Sequence, residues 1–150
     1  MDTYYMKLAI EEARRAAEMN EVPVGAVVVL GDEVIGRGHN LTHTKRHPAY
    51  HAEMMAIDEA TKRTGDLRLP DATIYVTLEP CSMCAGAILL ARFRRVVIGT
   101  MDPKHGACGS VVDLLAVPRF NHHPEVVTGV LKDEASELLS TFFRRLREQK

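Results

Sequence analysis

The chain has 150 residues, 46% hydrophobic and 26% charged, a balance typical of one soluble globular domain with a single core. Its 19 basic and 20 acidic residues give a net charge of −1, which excludes nucleic-acid binding through overall positive charge and leaves only local basic clusters for that purpose. We find no apolar run near the roughly 20 residues that span a bilayer and no N-terminal pattern of a secretion signal, so we expect a single cytoplasmic domain over residues 1–150 with no membrane contact.

Helices and strands are predicted to alternate along the chain. The first helix covers about 3–19, and the apolar run Ala26 to Leu30 indicates a strand that is buried on both faces. The Gly31-Asp32 turn pairs it with a second strand over Glu33 to Arg37. The remaining predicted elements are a polar loop from Asn40 to Ala49, a helix over about 50–63, a strand from Ala72 to Leu78, a helix from Pro80 to about Arg92, a strand at Val96 to Ile98, a loop over 100–110, a strand around Val126 and Val127, and a last helix with Ala135, Leu138, Leu139, Phe142 and Leu146 on its buried stripe. This order predicts an α/β fold of three layers (α/β/α), with a five-stranded mixed sheet that contains one antiparallel hairpin.

The three cysteines, Cys81, Cys84 and Cys108, are a poor basis for a disulfide framework because their number is odd and small. A C-x-x-C pair in a cytosolic chain indicates metal binding or redox chemistry instead. Cys108 has no ligand-like spacing around it, and we expect an ordinary loop thiol there.

Two short clusters at the starts of predicted helices have the residue types of a metal site. The first is His51-Ala52-Glu53 and the second is Pro80-Cys81-Ser82-Met83-Cys84. One imidazole and two thiolates suit zinc, and a site with only three protein ligands leaves a position open for water, as catalytic zinc sites do. Positive potential at the two helix starts would help to hold a hydroxide near neutral pH.

Glu53 follows His51 by two residues, so it is predicted to stand beside the bound water rather than to bind the metal. A carboxylate there can take a proton from water and return it to a ring nitrogen, as hydrolytic deamination requires. The combination of H-x-E with P-C-x-x-C is the signature of zinc nucleobase deaminases.

Simpler interpretations of these residues were weighed. His51 could cap a helix, Glu53 could be a solvated acid in a first turn, and the cysteines could be buried apolar residues. A redox C-x-x-C would need a thioredoxin-like unit and would leave the H-x-E pair a coincidence. The two clusters together, 30 residues apart between His51 and Cys81, favour the deaminase interpretation.

Longer stretches of the sequence resemble bacterial tRNA-specific adenosine deaminases, the TadA family of the cytidine/deoxycytidylate deaminase superfamily. The stretches that carry this resemblance are Glu21 to Val27, Thr77 to Ala87, Asp102 to Gly106, Phe120-Asn121-His122 and Phe142-Phe143-Arg144, and the resemblance extends over essentially the whole chain. The resemblance implies the cytidine-deaminase fold, a homodimer, one bound Zn²⁺ per chain, and deamination of the wobble adenosine to inosine in an arginine tRNA anticodon stem-loop.

The resemblance also implies roles for individual residues. His51, Cys81 and Cys84 would bind zinc, and Glu53 would move the proton. The substrate-binding residues that it implies are Asn40 at the flipped base, Val22 and Pro23 in the pocket wall, Asp102 and Lys104 at the RNA backbone, and Asn121, His122, Phe143 and Arg144 along the anticodon-loop groove.

Residue chemistry gives these RNA-binding roles some independent support. Asn40 can donate to and accept from a purine edge, although an asparagine after a strand is more commonly a turn residue. Phe143 could stack on a base, because it cannot share the buried stripe with its neighbour Phe142. Basic clusters occur at Lys45 to His47, Arg92 to Arg95 and Arg144 to Arg147; such clusters are usually solvated, yet they are also the available phosphate contacts.

Two positions depart from the family pattern. Tyr50 stands where the family has a small residue before the zinc histidine, and Thr100 replaces a commonly smaller residue at the end of a strand. Both departures concern substrate preference rather than the metal or Glu53. Two alternatives therefore stay open: a deaminase of a free nucleobase or nucleoside such as guanine, cytosine or cytidine, and a zinc-stabilised RNA-binding module.

Overall fold

The structure is a computed structural model, and it describes residues 1–149. Its elements in chain order are α1 (Asp2–Glu18), β1 (Gly25–Leu30), β2 (Glu33–His39), α2 (Thr42–Lys45), α3 (Ala52–Thr64), β3 (Ala72–Leu78), α4 (Ser82–Leu90), β4 (Arg95–Thr100), a 3₁₀ turn (Leu114–Ala116), β5 (Glu125–Thr128) and α5 (Lys132–Glu148). Within the described range, none of these helices combines the length and the apolar character that crossing a membrane requires.

The five strands form one mixed sheet in the order β2-β1-β3-β4-β5. β1 is antiparallel to both β2 and β3, whereas β3, β4 and β5 run parallel to one another. The predicted five-stranded mixed sheet is confirmed, and the hairpin turns at Gly31, whose φ of 64° suits glycine.

Helices cover both faces of the sheet, which gives the predicted three layers. Alternate residues of β1 point to opposite faces, so Ala26 and Val28 pack in the core under α3 and α4, while Val27 and Val29 pack against α1. The continuous apolar run of β1 is therefore explained by burial on both of its faces.

The loop predicted from Asn40 to Ala49 contains a short helix, α2. Its first amide groups are satisfied by side chains: Thr42 N–H donates to Asn40 Oδ1, and the amides of His43 and Thr44 donate to the buried carboxylate of Glu21. Asn40 is a local partner, but Glu21 lies more than 20 residues away in the sequence, so local patterns could not predict the whole turn.

The predicted start of α4 at Pro80 is wrong by two residues. Cys81 is extended, with ψ of 178°, and forms the N-cap, so the helix begins at Ser82. Pro80 precedes the cap, and its carbonyl accepts from Ala107 N–H at 2.9 Å. Tertiary hydrogen bonding thus fixes the boundary.

The predicted buried stripe of α5 is correct only for the first half of the helix. Ala135 is buried, and Leu138, Leu139 and Phe142 are partly buried, but Leu146 is 44% exposed. The 17-residue helix packs on the six-residue strand β4 and against α1, and it is longer than that strand, so its last turns extend beyond the sheet.

We expect Gly36→Ala to destabilise the fold by about 1–3 kcal/mol, because the added methyl group overpacks the interface between β2 and α3. A Cβ on Gly36 would lie 2.1 Å from the carbonyl oxygen of Ala56. Urea denaturation measures the effect. Glu33→Ala, an exposed position of the same strand, serves as the control and is expected to stay within about 0.5 kcal/mol of the parent. Equal stability of Gly36→Ala and the parent would contradict this packing.

Asp2 anchors the start of α1 to the sheet. Its carboxylate accepts from Arg95 Nη1 and Nη2 at 3.1 and 2.9 Å and from the Tyr75 hydroxyl at 2.7 Å. The hydrogen bonds from Arg95 hold the Asp2 pKa below its ordinary value of 3.8, although burial acts in the opposite direction.

We expect Asp2→Asn to lower the free energy of unfolding at pH 7 by about 1 kcal/mol, a modest value because the pair is partly exposed. Since the folded pKa is depressed, this stabilisation is complete above pH 3.8 and disappears as the pH falls through the folded pKa. Thermal unfolding from pH 7 to pH 2.5 tests the trend, with the exposed Asp71→Asn as control. A stability difference that widened on acidification would contradict it.

Candidate active site

One pocket lies at the end of the sheet where the carboxyl ends of β3 and β4 meet. The antiparallel β1 begins at the same end, and the starts of α3 and α4 lie beside it. The pocket has a volume of about 340 Å³, within the range of small-ligand sites. Its lining residues are Val22, Val24, Asn40, His51, Ala52, Glu53, Leu78, Glu79, Cys81, Asp102 and His105.

His51, Cys81 and Cys84 meet at the N-terminal ends of α3 and α4. His51 and Cys81 are the N-cap residues of the two helices, and both have extended backbones. The His51 Nδ1 atom lies 3.5 Å from the sulfur atoms of both Cys81 and Cys84, and one ligand atom from each residue falls within 4.8 Å of the others. Within residues 1–149 the cluster has three members.

The three side chains are close enough to shift one another's pKa values. A hydrogen bond from Cys84 and one from His51 lower the pKa of Cys81 to about 3, against the effect of burial. The same bond to Cys81, together with burial, raises the pKa of Cys84. The hydrogen bond to Cys81 also raises the pKa of His51. The arrangement therefore carries one thiolate and a second thiol whose proton a bound cation must displace.

The geometry of this cluster fits zinc. Metal–nitrogen and metal–sulfur distances of about 2.1 and 2.3 Å in a tetrahedron place a nitrogen and a sulfur ligand about 3.6 Å apart. The observed separations of 3.5 Å agree with that value without rearrangement. The helix N-termini at His51 and Cys81 add positive potential, which partly offsets the charge of two thiolates. The three residues can therefore hold a metal ion with one position open.

Glu53 borders the same pocket in the first turn of α3, and it is not a member of the three-residue cluster. Its side chain is buried, and this burial raises its pKa to about 7, although the nearby His51 opposes the shift. A carboxyl group with a pKa near neutrality can both accept and release a proton under physiological conditions. The role of Glu53 in moving a proton stays a prediction.

Asn40 and Val22 line the pocket, as the sequence led us to expect. Asn40 Oδ1 accepts from Thr42 N–H at 3.2 Å, so the turn role is present, while its Nδ2 lies 3.4 Å from the Val22 carbonyl oxygen. Pro23 is buried between two lining residues, Val22 and Val24, and is not itself part of the lining.

Asp102 lies in the pocket wall, but its carboxylate is occupied. Asp102 Oδ1 accepts from the amides of Lys104 and His105 at 3.0 and 3.2 Å, which closes a tight turn. The Lys104 side chain is exposed outside the pocket, and His105 takes part in the lining. Of the predicted backbone-contact pair, Lys104 is the one with an exposed side chain.

Asn121 and His122 line a second groove of about 540 Å³ along α4, not the pocket described above. The Arg92 guanidinium donates to Asn121 Oδ1 at 2.7 Å, and His122 Nε2 lies 2.7 Å from the Phe93 carbonyl oxygen. Within one chain, the structure therefore separates these two predicted RNA contacts from the cluster of His51 and the cysteines.

Phe143 and Arg144 lie on the exposed face of α5, and Phe143 is 42% exposed, in edge-to-face contact with Phe142. The predicted basic clusters differ in availability. Those at 45–47 and 144–147 are exposed, whereas Arg95 is paired with Asp2 and Glu125.

The two residues that depart from the family pattern, Tyr50 and Thr100, lie outside the pocket lining. The Tyr50 ring stacks on His47 with centroids 4.8 Å apart, and it is not among the pocket-lining residues. Thr100 is buried at the end of β4, where its carbonyl accepts from Glu79 N–H at 2.8 Å. Cys108 is buried outside the metal cluster, and burial raises its pKa to about 12.

Five lining residues were not predicted from the sequence: Val24, Ala52, Leu78, Glu79 and His105. Three of them, Val24, Ala52 and His105, are chain neighbours of predicted residues, and Leu78 is the last residue of β3. Their place beside predicted residues or at the end of a strand was the available signal. There was less reason in the sequence to place Glu79 in the lining, because an acidic residue is expected at the surface unless its buried partners are known.

Comparison with known proteins agrees with this geometry. The sequence model of the MafB19-like deaminase family matches residues 1–147. A guanine deaminase from Nitrosomonas europaea shares the fold, with a TM-score of 0.78 at 24% identity over 93% of this chain and 83% of that one. The fold and the site thus define a deaminase.

Closer relatives specify the family. A tRNA-specific adenosine deaminase of Bacillus subtilis is 54% identical over 149 residues, which are 99% of this chain and 92% of the relative. A solved structure from work on A-to-I editing by tRNA:A34 deaminases at the wobble position of transfer RNA has a TM-score of 0.88 at 47% identity, covering 91% of this chain and 99% of that one. The chain belongs to the tRNA-specific adenosine deaminases.

Proposed function

We propose that this chain is a zinc-dependent hydrolase that converts the wobble adenosine of an arginine tRNA anticodon loop to inosine. The observation that carries the proposal is the three-membered cluster of His51, Cys81 and Cys84, which borders the same pocket as the buried carboxylate of Glu53. The family relationship adds the substrate class.

His51, Cys81 and Cys84 are the residues that hold one Zn²⁺ per chain. The bound ion supplies a Lewis acid that lowers the pKa of water towards neutrality. Glu53 accepts the proton of the attacking water and delivers it to the purine ring nitrogen. The oxygen bonds to C6 of the purine, and its remaining proton passes to the amino nitrogen. The bond from C6 to that nitrogen then breaks, ammonia leaves, and C6 becomes the carbonyl carbon of inosine. Adenosine and water thereby give inosine and ammonia.

The pocket recognises one base that has left the helical stack. Asn40 offers an amide for the purine edge, and Val22 contributes an apolar wall, with Pro23 supporting it from behind. Outside the pocket, the exposed Lys104 and Arg144 are available for phosphates, and the exposed Phe143 for stacking on a base. Asp102 contributes indirectly to RNA binding, because its hydrogen bonds to the amides of Lys104 and His105 fix the turn that carries Lys104.

The active form in this proposal is a homodimer in the cytoplasm, a compartment in which the three unpaired cysteines remain reduced. Apolar side chains are exposed around α4, among them Leu90 at 74% and Phe120 at 45%. They flank the groove that contains Asn121 and His122. An apolar patch of this kind on a monomer is typical of an interaction surface, and we assign it to a second copy.

We expect Leu90→Glu to convert the dimer to a monomer, because it places a charge in the apolar patch. Analytical ultracentrifugation of the parent and the variant measures the mass. Glu148→Lys, a charge change at the end of α5, is the control. A parent protein that sediments as a monomer at micromolar concentration would contradict the homodimer.

The decisive experiment for the activity uses the zinc-loaded protein and an anticodon stem-loop with a wobble adenosine, with inosine detected by sequencing. The matched substrate carries that adenosine one position further along the loop. Inosine in the first RNA alone supports the proposal. Absence of inosine from zinc-loaded protein would overturn it, and guanine, cytosine and cytidine would then be tested as free substrates. RNA binding without any turnover would indicate the RNA-binding module.

A further inference from the structure

Glu79 is a buried carboxylate that the proposed chemistry does not use. It lies between the last residue of β3 and the proline that precedes Cys81, and only 3% of its surface is exposed. The hydrogen-bond partners of its carboxylate all lie in the segment 101–110, which we name the 101–110 loop.

Four hydrogen bonds join Glu79 to this loop. Oε1 accepts from the amide of Asp102 at 2.9 Å and from the Ser110 hydroxyl. Oε2 accepts from the amides of Cys108 and Ser110 at 2.9 and 3.0 Å. Burial disfavours the charged form, but the bonds from Ser110, Asp102 and Cys108 outweigh this effect and lower the Glu79 pKa.

Gly106 allows the loop to close over the carboxylate. A Cβ at this position would lie 2.1 Å from Glu79 Oε1, closer than any side chain can approach. The Gly106 amide donates to the Asp102 carbonyl at 2.9 Å, and the neighbouring Ala107 amide donates to the Pro80 carbonyl at the same distance. Residues near both ends of the loop are therefore held against Glu79.

This arrangement determines what the loop presents to the pocket. Asp102 and His105 reach the pocket wall, and the Lys104 side chain points to solvent beside them. Opening the loop would leave a buried charge without its donors, which is costly. The carboxylate thus holds the loop in one conformation before any substrate arrives.

We propose that Glu79 is a positioning residue that preorganises the 101–110 loop for binding the RNA strand on either side of the extruded base. Ordering a loop during binding weakens affinity, and an anchor that orders it beforehand removes this cost. Glu79 therefore acts on the affinity for RNA and not on the chemical step. This inference rests on the proposed function.

Three variants test the inference from different sides of the contact. Glu79→Gln replaces one acceptor oxygen with a donor, Gly106→Ala inserts the excluded methyl group, and Ser110→Ala removes one donor. Each variant is made as a single substitution, in which kcat and KM are measured. Each is also combined with Glu53→Ala, and the Kd of a fluorescent anticodon stem-loop is measured in these double variants. Zinc content is measured for every protein. Glu11→Gln, an exposed acid on α1, is the control.

We expect Glu79→Gln and Gly106→Ala to raise KM and Kd about tenfold, with a smaller rise for Ser110→Ala. The kcat is expected to stay within about threefold of the parent and zinc within about a tenth of one ion per chain. Unchanged KM and Kd, a fall confined to kcat, or loss of zinc in all three variants would overturn the inference. Should Glu79→Gln fail to fold, the other two variants decide. A parent protein without activity on the RNA would instead refute the proposed function.

Discussion

Replacing Glu53 with glutamine is expected to lower kcat on the wobble-adenosine stem-loop by about 10³-fold, while the zinc content stays close to one ion per chain. Glutamine keeps the size of the side chain but cannot take a proton from water. Because Glu53 is buried in the pocket yet lies outside the ligand cluster, the loss concerns proton transfer and leaves the metal in place. Single-turnover assays at saturating RNA measure it.

The control for this variant is Asp58→Asn, an exposed acid on the same helix, paired on the surface with Lys62. It is expected to retain full activity, since exposed pairs contribute little. If Glu53→Gln kept more than about a tenth of the parent kcat, another group would have to move the proton. If it lost zinc instead, Glu53 would be a ligand.

Cys84→Ser is expected to reduce bound zinc from about one ion per chain to below about a tenth and to abolish inosine formation. Cys84 is fully buried, and its sulfur lies 3.5 Å from the His51 nitrogen, so serine leaves a weaker ligand at a site that needs three. A strong chelator should give the same loss in the parent, and added Zn²⁺ should restore activity. Metal analysis and thermal unfolding measure the effect, since bound metal raises Tm.

Cys108→Ser is the matched control, because Cys108 is also buried but lies outside the ligand cluster. It should keep its zinc. The raised pKa of the Cys84 thiol adds a pH dependence: zinc must displace that proton, so zinc affinity should fall as the pH falls. Stoichiometric zinc in Cys84→Ser would show that the cluster is not the binding site.

The elements that could be predicted from the sequence are those whose burial follows a simple period. The run Ala26 to Leu30 indicated a strand covered on both faces, and the structure confirms it. The periodicity of α5 predicted burial of Leu146 incorrectly, because an apolar stripe does not reveal where the supporting sheet ends. The short helix α2 was missed because Glu21, a distant residue, supplies the acceptor for its first amides.

The same distinction applies to the site. His51, Glu53, Cys81 and Cys84 could be identified because their chemistry requires those residue types at those spacings. Glu79 could not, because three of its four hydrogen bonds come from backbone amides, which leave no trace in the sequence, and the fourth comes from Ser110, 31 residues away. For Asn121, the sequence suggested an RNA contact but could not show that its groove lies apart from the pocket.

β1 begins beside the pocket, and the hairpin turn at Gly31 and Asp32 follows its other end. Six residues of an extended strand separate the two ends by about 17–20 Å. The turn is exposed, and no neighbouring atom lies within 4 Å of where a Gly31 side chain would begin. This corner is thus the natural attachment point for a fluorophore, a surface tether or a fused targeting domain, since cargo joined there faces away from the substrate.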